Sequence, residues 1–129
     1  MNKIIFNFEE FSNYLSAIEK NCNKVLIKSK DSKVCWRSWG EGTPLILLHG
    51  GYGSWGHWIK QAIPFSKKHR VLIPDMPGFG ESNDLTLPHT PEKIASNLAD
   101  TILELITLDD NPIICGFSFG GAIAYMGIE

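Results

Sequence analysis

A chain of 129 residues, 43% hydrophobic and 20% charged, is long enough for one domain with a sizeable core and too balanced to be disordered or fibrous. A net charge of −2 gives no reason to expect a nucleic-acid partner, and three cysteines without C-x-x-C spacing support neither a disulfide framework nor a thiolate zinc site. Glu9 and Glu10 interrupt the opening MNKIIFNFEEF before a secretory core can form, and no later apolar run is long enough to span a bilayer. No membrane partner is therefore expected, and the setting expected is the reducing cytoplasm.

In chain order, Phe8, Phe11, Leu15 and Ile18 fall at helical spacing within residues 8–20 and predict a short amphipathic helix. KVLIK and KVCWRSW flank the turn-like SKDS, which predicts an antiparallel hairpin. Lys20, Lys24, Lys28, Lys30, Lys33 and Arg37 interleave there with Val25, Ile27, Val34 and Trp36, and read as the water-facing side of those strands. PLILLHG is a continuous apolar run, as expected of a strand covered on both faces. A helix is predicted from Trp55 to about Lys68, then a second buried strand, RVLIPD, ending in the loop MPGFGES. Thr90 is a cap, Pro91 suits the first helical position and Glu92 favours the dipole, with Ile94, Leu98, Ile102 and Leu105 as the stripe. NPIICGFS is a third apolar strand, and GGAIAYMGIE begins a third helix. Strands alternating with helices predict a parallel α/β sheet with right-handed crossovers, without repeat, linker or boundary over 1–129.

Two glycine-rich stretches carry the chemistry. Gly51-Tyr52-Gly53-Ser54-Trp55-Gly56 has the G-x-G-x-x-G spacing of a dinucleotide loop, with Asp75 lying 24 residues past Gly51 as a ribose-binding acid would. Downstream, strand NPIIC runs into Gly116-Phe117-Ser118-Phe119-Gly120, a G-x-S-x-G followed by helix, the context of a nucleophile elbow. The sharp turn presses the residues two before and two after the serine against backbone, so Gly116 and Gly120 have to be small. Gly121 and Ala122 let the helix lie close to the sheet.

LILLHGG, VLIPDMPGFGES and IICGFSFGG, in that order and spacing, closely resemble the α/β-hydrolase superfamily from about residue 24 to the end. The resemblance implies the N-terminal half of a parallel-sheet α/β-hydrolase fold with an antiparallel hairpin at its start. It implies Ser118 as nucleophile, with oxyanion donors in the backbone N–H of Phe119 and that of Gly51. A serine, rather than the aspartate of dehalogenases and epoxide hydrolases, points to acyl transfer on a small-molecule carbonyl substrate. Esters, thioesters, lactones, amides, carbon–carbon cleavage products and perhydrolase chemistry all stay open, and oligomeric state is left open too. No metal or organic cofactor is implied. Against the dinucleotide alternative, His49 precedes the glycines, bulky Trp55 sits beside the third, and Asp75 leads into the turn at Pro77-Gly78.

His49 is expected to shape its loop, Asp75 to fix the loop after its strand, and His57, His69 and His89 to lie at the surface. Trp55, Trp58, Phe117 and Phe119 are expected to line an acyl pocket or pack in the core, and Cys115 to be inert in a buried strand. The family's triad runs serine, acid, histidine. The 11 residues after Ser118 hold no histidine and, of acids, only Glu129. The chain is therefore expected to be the N-terminal part of a longer hydrolase, close to inert alone, its last strand leaving an apolar edge. The rival readings are a hydrolase-fold protein that binds without turnover and, more remotely, an NAD-dependent oxidoreductase.

Overall fold

The structure, a computed structural model, describes residues 7–30, 32–82 and 89–127. Helix α1 (Phe8–Lys20) is followed by strands β1 (Asn23–Lys28), β2 (Lys33–Trp39) and β3 (Thr43–Leu48). A 3-10 turn over Trp55–Trp58 leads into α2 (Ile59–Ser66), then come β4 (His69–Asp75), α3 (Pro91–Leu105), β5 (Ile113–Gly116) and α4 (Phe119–Gly127). The helix expected from Trp55 thus begins as a tighter turn. Gly56 is a poor helix former, and the Ser54 hydroxyl holds the Gly56 N–H at 3.3 Å. Thr90 and Pro91 act as read: the Thr90 hydroxyl accepts the Lys93 N–H at 3.1 Å, and Pro91 is the first residue of α3.

The strands form one mixed sheet in the order β1-β2-β4-β3-β5. The hairpin pairs β1 with β2 antiparallel, β2 runs antiparallel to β4, and β3 is parallel to both β4 and β5. Alternation then decides which side chain meets which helix. Leu45, Leu47, Val71, Ile73 and Trp39 face α1 and α2, packing on Ile18, Trp55, Ile59 and Ala62. Ile46, Leu48, Leu72, Val34 and Trp36 face α3 and α4, packing on Ile94, Ala95, Leu98 and Ile123. Each buried Val, Leu or Ile side chain among them contributes roughly 1.5–3 kcal/mol by leaving water. Two indoles tie the layers: Trp36 Nε1–H donates to the Thr101 hydroxyl and Trp39 Nε1–H to the Ile18 carbonyl, each at 2.9 Å.

Three expectations are corrected. Phe8 and Phe11 are exposed, and α1 buries Ile18, near its C-terminal end. Cys115 is exposed rather than buried, since β5 is an edge strand whose Ile113 is 46% accessible. Arg37 does not lie in water. It shares a strand face with Cys35 and Trp39 and is only 2% exposed.

Candidate active site

The direction of the chain reverses at β3. From β3 it crosses through α2 to β4 on one side, and from β4 through α3 to β5 on the other. Right-handed crossovers then place α2 and α3 on opposite faces, and a crevice opens beyond the carboxyl ends of β3 and β5. Both glycine-rich stretches meet in that crevice. The opposite ends of these strands carry neither.

At the end of β5 the chain turns so sharply that Ser118 adopts φ 53°, left-handed backbone that costs a non-glycine residue about 1–3 kcal/mol. Packing sustains this conformation. The Phe117 N–H donates to the Leu48 carbonyl at 3.0 Å, and the N–H groups of Gly120 and Gly121 close the turn on Phe117 and Ser118 at 2.9 Å. A Cβ at Gly116 would overlap the backbone of Gly120 and Gly121. One at Gly120 would overlap the Leu48 carbonyl and lie 2.6 Å from that of His49. Ser118 is left exposed at the N-terminus of α4, beside the Phe119 amide.

The loop after β3 lies against this turn. A Cβ at Gly50 would stand 3.0 Å from the Phe117 ring, and one at Gly51 3.9 Å from Phe119 Cβ. His49, 0% exposed, is bonded at both ring nitrogens: Nε2 accepts the Met76 N–H at 2.9 Å, and Nδ1 lies 2.7 Å from the Gly50 carbonyl. That pattern requires a neutral ring with its proton on Nδ1. Burial agrees, pushing the imidazole's pKa below its ordinary 6.5. The Gly50 carbonyl, which also accepts the Gly53 N–H at 3.2 Å, is thereby fixed. A trans peptide sends its N–H opposite to its C=O, so the Gly51 N–H points away from His49.

Beneath the loop lies a charged lock. Asp75, 1% exposed, accepts from Arg37 Nη1 at 3.0 Å, from the Trp55 N–H at 2.8 Å and from the Glu81 N–H at 3.0 Å. The Arg37 guanidinium also reaches Glu19 at 3.4 Å, pairs with Glu81 and lies 4.9 Å from the centre of the Trp55 ring. Lys24 bridges to Glu81 at 2.7 Å. Cys35, Asp75 and Glu81 cluster with metal-like spacing, but Arg37 and Lys24 already answer both carboxylates. Burial pushes the Cys35 thiol up to about 11, leaving it protonated and a poor ligand.

A family model of the alpha/beta hydrolase fold matches residues 43–126. The chain belongs to the α/β-hydrolase fold family. A pimeloyl-[acyl-carrier protein] methyl ester esterase of Photobacterium profundum is 35% identical over 97 residues, 70% of this chain and 33% of its own length. A 2-hydroxy-6-oxo-2,4-heptadienoate hydrolase of Pseudomonas putida is 35% identical over 89 residues, 66% of this chain and 32% of its own. The chain thus spans about a third of the length of these relatives. Among solved structures, a variant N-acyl homoserine lactonase complexed with N-hexanoyl homoserine matches with a TM-score of 0.76 and 29% identity, over 83% of this chain and 40% of its own. A membrane phospholipase A matches with a TM-score of 0.78 at 18% identity, over 92% of this chain and 39% of its own, a likeness of fold alone.

Within this hydrolase fold the structure brings Ser118, Phe119 and Gly51 together, while His69 and His89 lie elsewhere. Asp75 is buried and turned onto Arg37 and the N–H groups of Trp55 and Glu81 rather than toward the crevice, which speaks against its serving a ribose in the dinucleotide reading. Trp55 packs in the core, whereas Phe117 is 59% exposed and lines a hollow of ≈ 330 Å³ with His57, Trp58 and Gln61. Two site neighbours were missed from sequence. His57, read as a surface residue, is exposed yet lies against Gly50, Gly53 and Phe117. Arg37 could have been found from the period of two in KVCWRSW, which puts it on one face with Cys35 and Trp39. Among the described residues, no helix is long and apolar enough to cross a membrane.

Proposed function

We propose that these residues form the nucleophile-bearing part of a serine hydrolase acting on a small ester, thioester, lactone or related carbonyl compound. The observation that carries the reading is the left-handed Ser118 at the junction of β5 and α4, with φ 53° held by glycine contacts on both sides. Strain that packing sustains at one exposed hydroxyl is what a nucleophile needs to stand clear of the sheet. In the proposed reaction the Ser118 hydroxyl attacks the carbonyl carbon and gives up its proton to a histidine contributed from outside these 129 residues. The developing oxyanion is met by the N–H groups of Gly51 and Phe119, the latter aided by the positive end of α4. The leaving group departs with a proton, and water then cleaves the acyl-serine ester. No step draws on a metal or organic cofactor.

Neither amide has a hydrogen-bond acceptor among the described residues, which supports their availability to an oxyanion. The relatives named for a methyl ester, an oxo-dienoate and a homoserine lactone support a small carbonyl substrate. The exposed Phe117 ring supplies an apolar wall for the acyl chain. A fluorophosphonate should label the full-length protein and leave Ser118→Ala unlabelled, with ester turnover falling about 10⁶-fold. Equal labelling of the two proteins would overturn the serine and favour a hydrolase-fold protein that binds without turnover.

A further inference from the structure

Gly50 is held between two imidazoles. Its carbonyl is fixed by His49, and its N–H donates to His57 Nδ1 at 3.2 Å. The core does not require the second contact, because His57 is exposed and belongs to neither hydrophobic cluster. Its ring stands edge-on to Phe117 at 5.9 Å and 89°, and edge-on to His49 at 6.0 Å and 90°. It lies so close on Gly53 that a Cβ there would come within 2.6 Å of both ring nitrogens. One ring therefore touches both segments carrying the proposed oxyanion donors, the Gly50–Gly53 loop and the Phe117–Phe119 turn.

We propose that His57 is a positioning residue for the oxyanion hole. Resting on the reading of Ser118 as nucleophile, the proposal deepens it by naming what sets the gap between the two donors. With Nδ1 accepting, the ring is neutral and its proton sits on Nε2. It draws the Gly50 N–H aside and leaves the Gly51 N–H as the loop's donor to the crevice. Through Phe117 it also spaces the loop from the turn. Among the described residues a titratable ring that lies against it is His49, whose two hydrogen bonds require the neutral form and whose pKa burial lowers. Donor geometry at an oxyanion is worth about 10²–10³ in rate, so a small relaxation of this loop is visible in turnover.

The experiment compares His57→Phe and His57→Asn with the parent in the full-length protein, alongside Ser118→Ala as a control. His57→Phe keeps a ring on Gly53 and loses the acceptor, whereas His57→Asn loses the ring and keeps an oxygen able to accept the Gly50 N–H. The expected result for His57→Phe is a kcat lower by about 10–10²-fold at nearly constant KM and Tm, with His57→Asn recovering most of the loss. Unchanged kcat in His57→Phe, a loss carried entirely by KM, or equal losses in both variants with a fall in Tm would overturn the proposal. Nitrogen-15 NMR of the His57 ring provides a readout independent of turnover. The Nε2–H tautomer is expected, and an Nδ1–H tautomer overturns the proposal even if the enzyme is active. Should Ser118→Ala retain full turnover, the nucleophile is elsewhere, and the tautomer decides on His57 alone.

Discussion

The two turns that meet at the crevice are held in opposite ways. The loop after β3 is shaped by side chains: His49 and His57 hold Gly50, and Asp75 holds the Trp55 N–H beneath. The turn after β5 is shaped by the absence of side chains, since Gly116 and Gly120 admit backbone where a Cβ would collide. The first can be loosened gradually by swapping partners. The second has no partner to swap, and any addition must move the end of β3 or the start of α4. A rigid turn at the proposed nucleophile, opposite a loop held by exchangeable side-chain partners, is a division that substitutions can test.

The largest effect is expected at Asp75. Replacing it with alanine strips Arg37 of its 3.0 Å partner and leaves the N–H groups of Trp55 and Glu81 without an acceptor. Removing one member of a buried ion pair costs about 3–5 kcal/mol, so the denaturant midpoint should fall steeply. Asp75→Asn, which keeps a carbonyl oxygen for one of those donors, should fall between the two. Should Asp75→Ala lose less than about 1 kcal/mol, the lock does not hold the loop.

Gly120→Ala probes the turn held by shape. Its Cβ would meet the carbonyls of Leu48 and His49, fixed groups at the end of β3, and overpacking of this kind costs about 1–3 kcal/mol. Fluorophosphonate labelling of Ser118 should fall further than stability does, because the turn relaxes by moving the serine. Gly53→Ala is the matched control: the atoms nearest its Cβ would be those of the His57 ring, the movable end of a side chain, so the stability loss should be smaller. Equal losses at the two glycines would erase the distinction between the turns.

What was legible in the sequence follows the same division. The turn at Ser118 is a local constraint, readable because Gly116, Ser118 and Gly120 stand within five residues and between an apolar strand and a helix start. The Thr90 cap and the continuous apolar runs of β3 and β4 are local too, and both appear where they were read. Arg37 looked solvated because its partners are distant in sequence: Glu19 lies 18 residues away, Asp75 38 and Glu81 44. His57 was missed for a related reason, since its meaning comes from Phe117, a ring on a different turn. Cys115 sits in an apolar strand, and its exposure follows from β5 being the last strand of the described sheet, the apolar edge expected of it from the sequence.

The smallest effect is expected at the rim of the lock, where Glu81, with its side chain 52% exposed, meets Lys24 and Arg37. The hydrogen bond from Lys24 holds the Glu81 carboxyl below its ordinary 4.5, with Arg37 adding to the pull. A depressed carboxyl stabilises the folded state fully above its unfolded value, and that contribution is lost as pH falls through the folded value. Glu81→Gln should therefore lower Tm at pH 7 by a small fraction of the Asp75→Ala loss. The gap to the parent should close as pH drops below 4.5, and it should narrow in high salt because Lys24 and Glu81 both meet solvent. A gap that persists at pH 3 and in molar salt would mean that Glu81 acts through packing over the lock rather than through its charge. The lock would then depend on Arg37 and Asp75 alone, and the loop that carries Gly51 would be indifferent to the acidity of its surroundings.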